Sequence, residues 1–238
     1  SAGGTVSVNT RAAEVDPGTG IKMSVGDNSY QKFTAFHNTG VNELGWSSSF
    51  LLGFWQGDGW RNGMQGEGTT YAFSVGYTPR GSDHEFNFSL IGAGQWHHQA
   101  YYSTQLQDYL DYGPIQGDDY RKFNQLYGEY QGEEFSVLRN YYNKPLATIN
   151  WDWEISSNVT LATSLYGSAG RGGGTGLRGR GSYGVTAFRE SFAEYLDDHG
   201  EWRNSDTTIN WSVAEQKNAA GAYVPSSGDF AGMRLGYH

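Results

Sequence analysis

Through most of its length this 238-residue chain alternates apolar and polar residues one by one, in segments of about ten residues that end in turn chemistry. In 71–77, Tyr71, Phe73, Val75 and Tyr77 fall on one face, with Ala72, Ser74 and Gly76 on the other. Phe86, Phe88 and Leu90 alternate with Asn87 and Ser89; Val159, Leu161 and Leu165 alternate with Thr160, Ala162 and Ser164. Ile21, Met23 and Val25 alternate with Lys22 and Ser24, and only 30–38 leaves its face ambiguous. A strand turns successive side chains to opposite faces, so this pattern predicts antiparallel strands with one apolar and one polar face.

The connections differ in length by end. Residues 78–85 and 154–158 are short polar turns, whereas 57–68 and the stretch of about 95–140 are long. Short turns at one end and long loops at the other are the build of outer-membrane barrels, and a soluble sandwich has no reason to segregate them. Trp46 and Phe54 share a face eight residues apart, which at ~3.4 Å per residue and a tilt near 40° sets them roughly 20 Å apart along the normal. Tyr141 and Trp151 make a similar pair around Pro145, Ala147 and Ile149. Such spacing suits two interfacial girdles, although the core of a sandwich also repeats aromatics on one face. Ser48 and Thr163 are polar exceptions on the apolar faces.

Composition narrows the classes further. There are 35 glycines and 16% aromatics, yet only 37% hydrophobic residues. A parallel α/β domain would be continuously apolar in its strands. The net charge of −9 opposes a general nucleic-acid binder. Cysteine is absent, so neither disulfides nor thiolate metal sites are available. No apolar run approaches the roughly 20 residues of a membrane helix, and the first residues lack the basic start and apolar stretch of a signal peptide.

Beyond residue 180 the pattern changes. Val185, Phe188, Phe192 and Tyr195 recur at helical spacing before Gly200, predicting a short helix inside a long loop; the rest is polar and aperiodic apart from 207–213. About seven strands cannot close a single-chain bacterial barrel, which needs an even number of at least eight.

Several stretches in order resemble the TonB-dependent outer-membrane receptors of the Bacteroidota type: GGTVSVNTRAAE, GWSSSFLLGFWQGDGWRNGMQGEGTTYAFSVGY, FNFSLIGAGQWHHQ and NYYNKPLATINWDWEISSNVTLATSLYGSAGRGGGTG. The resemblance implies that 1–12 end a plug domain, that 13–180 are the first strands of a transmembrane β-barrel, and that 181–238 form an extracellular loop in an incomplete barrel. It implies a fragment, with about seven strands of a probable 22 and with the energy-coupling segment outside this chain. The implied function is active import of a scarce nutrient (siderophore, cobalamin, glycan or peptide) across the bacterial outer membrane, driven by the TonB system. Implied partners are that system, a possible surface lipoprotein, and lipid or lipopolysaccharide. The alternative is a soluble or surface-attached β-rich carbohydrate-binding module or glycosidase.

Candidate ligand contacts are Trp60, Arg61, Trp96, His97, Tyr101 and Tyr102, aromatic and polar residues at the long-loop end. Their aromatics could equally form the upper interfacial belt. His97 and His98 are adjacent and point apart on a strand, so they do not chelate a metal together. The acids Asp108, Asp111, Asp118, Asp119, Glu133 and Glu134 lack calcium-loop spacing and read as a solvated loop. No Ser/His/Asp constellation sits on a nucleophile elbow, and neither catalysis, a metal nor a cofactor is expected. Gly174, Gly176 and Gly179 match G-x-G-x-x-G, but the preceding strand alternates and Gly181 and Gly184 would spoil a following helix. That stretch reads as a barrel strand leaving the membrane.

Overall fold

The computed structural model describes residues 10–100, 105–176, 178–180, 204–219 and 231–234. The fold is all-β and mostly antiparallel. A nine-stranded sheet comprises β1 (Gly18–Val25), β2 (Gln31–Asn38), β3 (Trp46–Gly57), β4 (Gly66–Tyr77), β5 (His84–His98), β8 (Arg139–Asn143), β9 (Leu146–Ser156), β10 (Val159–Ser168) and β11 (Arg171–Gly174). β1 to β5 pair in chain order, β5 then pairs with both β8 and β9, β10 pairs with β9, and β11 pairs with β8. Phe86 lies opposite Trp151 and Gln95 opposite Tyr142, one unbroken register across Lys144–Pro145. Proline has no N–H to give the ladder, so it interrupts the hydrogen bonding without shifting it. β10 and β11 likewise keep one register against β9 and β8. The nine strands are therefore seven continuous paths, the number the alternation predicts.

Connections at one end are 39–45, 78–83 and 157–158; at the other they are 26–30, 58–65 and 99–138. The ladder of β3 with β4 runs to Gly57 and Gly66, so the expected long loop there is shorter than the glycines suggested. Glycine-rich ends zip when the backbone is still paired.

The two faces differ in polarity over the body of the sheet. Outward, Trp46, Tyr77, Phe86 and Trp151 form a single rung across four strands. Trp46 stacks on Tyr77 at 4.3 Å, and Phe86 lies parallel to Trp151 at 6.5 Å. Above that rung come Val75, Phe88, Ile149 and Leu165, then Phe50, Phe73 and Leu90. This face is bare: Met23 is 76% exposed, Leu165 67% and Leu52 59%. Covering each such side chain is worth roughly 1.5–3 kcal/mol, so an uncovered face of this extent has a large driving force to meet apolar matter.

The inward face carries Ser47, Ser74, Gly76, Asn87, Ser89 and Asp152, and the segment 10–14 lies on it. Thr10 Oγ1 is 3.1 Å from Ser89 Oγ, and the Ala12 amide donates to Asn87 Oδ1 at 3.2 Å. Arg11 pairs with Asp152 and, at 3.3 Å, with Glu85. A side chain at position 76 would strike Ser47 Oγ, so glycine there leaves room for the segment.

The buried apolar residues, Ala12 apart, sit not on the sheet but in a cap over its loop end: Phe123, Leu126, Val137, Ile209 and Trp211. The cap comprises α1 (Leu106–Gln116), β6 (Gly128–Tyr130), β7 (Glu133–Phe135), β13 (Ile209–Asn210) and α2 (Trp211–Ala219), with β13 parallel to β6. The 207–213 stretch therefore ends as strand at Asn210 and continues as helix. β12 (Arg178–Arg180) pairs with β14 (Ala231–Arg234), so Gly179, the last glycine of the G-x-G-x-x-G match, lies in a strand. The helix expected over 185–200 lies outside the described residues. Among the described residues no helix is long and apolar enough to cross a membrane.

Candidate functional site

Strand parity decides what the loop-end residues can do. Trp96 is even-numbered on β5, like Phe86 and Phe88, and points outward; His97 points inward. The two lie next to each other in sequence but line different cavities.

The inward cavity, about 440 Å³, is lined by Asp27, Asn28, Tyr30, Trp55, Met64 and His97 over the glycine floor Gly57 and Gly66. Gly57, Gly66 and His97 share one rung, and Trp55 faces Gly68 on the next. A side chain at position 68 would come within 2.5 Å of Trp55 Nε1, and one at 66 would meet His97 Cβ at 2.7 Å. The glycines thus let the Trp55 indole lie across β4 and hold the cavity open. Asn28 and Ser29 take positive φ of 56° and 55° in the turn that brings Tyr30 over the floor. An indole face, a phenol, an imidazole and one carboxylate can bind an amphipathic polar ligand by stacking and hydrogen bonding.

Trp60 and Arg61 do not line this cavity. They staple the 58–65 connection to the cap: Arg121 and Lys122 lie 5.9 and 5.8 Å from the Trp60 ring centre, and Arg61 lies 5.5 Å from that of Tyr109. Lys122 also donates to Asn28 Oδ1 at 2.8 Å, tying the cap to the cavity's rim. Buried Asn124 completes the attachment, donating to the Asn62 carbonyl at 2.7 Å while its amide donates to Gln116 Oε1 at 2.9 Å. Tyr101 and Tyr102 lie outside the described residues. Trp55 is not among the residues expected from sequence to contact a ligand; its odd number, out of phase with Phe50, Leu52 and Phe54, is the signal that sets it on the inward face.

Among the acids of the long connection, Asp108 is buried as a helix cap, accepting from the Gln105 amide at 3.0 Å, and Asp119 clamps Arg121 at 2.8 Å. Although its side chain reaches solvent, partial desolvation and then the charge of Asp58 push the Glu134 carboxyl above the usual range, against a hydrogen bond from Tyr127. Among the described residues no group of three or more His, Cys, Asp or Glu could hold a metal. No known family, curated protein or solved structure matches the chain.

Proposed function

We propose that this chain is part of the barrel wall of a TonB-dependent outer-membrane transporter that imports a scarce nutrient. Residues 10–12 would be the end of the plug resting on the inner wall, and the Trp55–His97 cavity would be a ligand contact near the mouth. The observation that carries this reading is the inverted polarity of the sheet: bare apolar residues face outward while Ser47, Ser74, Asn87 and Ser89 face the chain's own segment. A lipid-facing barrel wall needs that arrangement, and a water-soluble sheet would reverse it. The single rung of Trp46, Tyr77, Phe86 and Trp151 fits an interfacial girdle. The cap over the loop end fits the long extracellular connections of such barrels.

The test is the solution behaviour of the intact protein. It should sediment with outer membranes and stay monodisperse only in detergent or lipid. A monodisperse, detergent-free monomer would overturn the reading and favour a soluble binding module.

A further inference from the structure

A second cavity, about 580 Å³, opens on the outward face at the loop end of the sheet. It is built from two neighbouring rungs. One runs Phe54, Thr69, Gly94, Asn143 and Arg171 across five strands; the other runs Glu67, Trp96, Tyr141 and Gly173. Glycine at 94 removes a side chain that would enter the space, and glycine at 173 leaves room for the Tyr141 ring that walls it. A Cβ at 94 would already touch Thr69 Oγ1 at 3.4 Å, and one at 173 would meet the Tyr141 hydroxyl at 3.0 Å. Phe54, Trp96 and Tyr141 form apolar walls continuous with the bare band below.

The charge in this cavity runs against that of the chain, which is −9 overall. Arg139 and Arg171 line it with a single carboxylate, Glu67. That carboxylate already accepts from Trp96 Nε1 at 2.8 Å. The Arg139 guanidinium lies over the Trp96 ring, 4.1 Å from its centre, a cation–π contact that needs none of its N–H groups. Among the described residues neither arginine makes an ion pair. Two guanidinium groups with no carboxylate partner among the described residues, at the edge of an apolar wall, suit a phosphate joined to an acyl chain.

We propose that this cavity binds the phosphate headgroup of an anionic membrane lipid, held by Arg171 and Arg139, with the acyl chain lying along Phe54 and the band beneath it. The site rests on the membrane reading above, since only a lipid-facing wall would present it to an acyl chain. Arg171 fixes the phosphate from the strand edge. Arg139, braced by Trp96 and through it by Glu67, fixes it from above.

The experiment uses the intact protein and vesicles of phosphatidylcholine with or without phosphatidylglycerol, followed by native mass spectrometry of the lipid retained. Phosphatidylglycerol should be retained in preference to phosphatidylcholine. Arg171→Gln and Arg139→Gln should each weaken that preference about fivefold, the effect of one cation near a lipid phosphate. Arg80→Gln, in the turn at the opposite end of the sheet, should leave it unchanged. Vesicle association of the wild type without any lipid preference, or a preference that survives both substitutions, would overturn this site while leaving the membrane reading intact. Failure of the wild type to enter vesicles at all would overturn both. Inorganic phosphate displacing the lipid at comparable concentration would show an anion site with no lipid character and would also overturn the proposal.

Discussion

Arg11 reaches Asp152 across the inner surface of the sheet, so the segment 10–14 is tied by charge to β9, far away in sequence. The side chains are 27% and 18% exposed, between the limits of a surface pair and a buried one. Asp152→Asn should therefore cost roughly 1–2 kcal/mol of the docking of that segment. Because the chain has no cysteine, an Ala13→Cys substitution supplies a single thiol. Its maleimide labelling should accelerate about tenfold in the Asp152→Asn background, since ~1.4 kcal/mol is a factor of ten. Unchanged labelling would mean that the hydrogen bonds of Ala12 and Thr10 hold the segment alone.

Leu52 stands in the outward band and Thr70 on the inward face, one rung apart on paired strands. On the proposed membrane reading, Leu52→Arg should destabilise the protein in lipid by about 2–4 kcal/mol, as a cation does near the bilayer midplane. Thr70→Arg, exposed on the other face, should be nearly neutral. Urea unfolding in liposomes compares the two. Equal effects would remove the distinction between the faces.

Gly68 and Gly167 make a second contrast. A Cβ at 68 runs into the Trp55 indole, whereas nothing lies within 4 Å of one at 167. Gly68→Val should displace the indole, cost about 1–3 kcal/mol from overpacking, and change the near-ultraviolet circular dichroism. Gly167→Val should be tolerated with an unaltered spectrum.

In the cap, Glu134 is harder to ionise folded than unfolded, chiefly because its carboxyl is partly desolvated. Such a group favours the fold while protonated: its contribution is complete below its ordinary value of 4.5 and is lost as pH rises through the raised folded value. Glu134→Gln keeps an acceptor for Tyr127 and removes the charge. It should increase amide protection in β6 and β7 at neutral pH, and the gain should fade as the solution is acidified below that range. Hydrogen exchange at two pH values checks the sign.

The sheet was legible because its signal is local: the period of two in 71–77 and 86–90 is set by neighbours in sequence and fixes the face of every residue once one is assigned. Parity along β5 from Phe86 parts Trp96 from His97, and parity along β3 from Phe50, Leu52 and Phe54 sets Trp55 on the opposite face. The cap was not legible, since Asn124 meets Asn62 and β6 meets β13 across long intervals of chain. No local period records a pairing of that kind. Asp108 looked like one more loop acid, and only the capping geometry explains its burial.

Every path in the nine-stranded sheet hydrogen-bonds to the paths before and after it in the chain, and Pro145 breaks the ladder without changing the count. A wall knitted in this order needs no distant strand to be present before the next is added. Hairpins can join one at a time, each finding its template already laid down, so the rate of assembly follows the closure of the longest connection, 99–138.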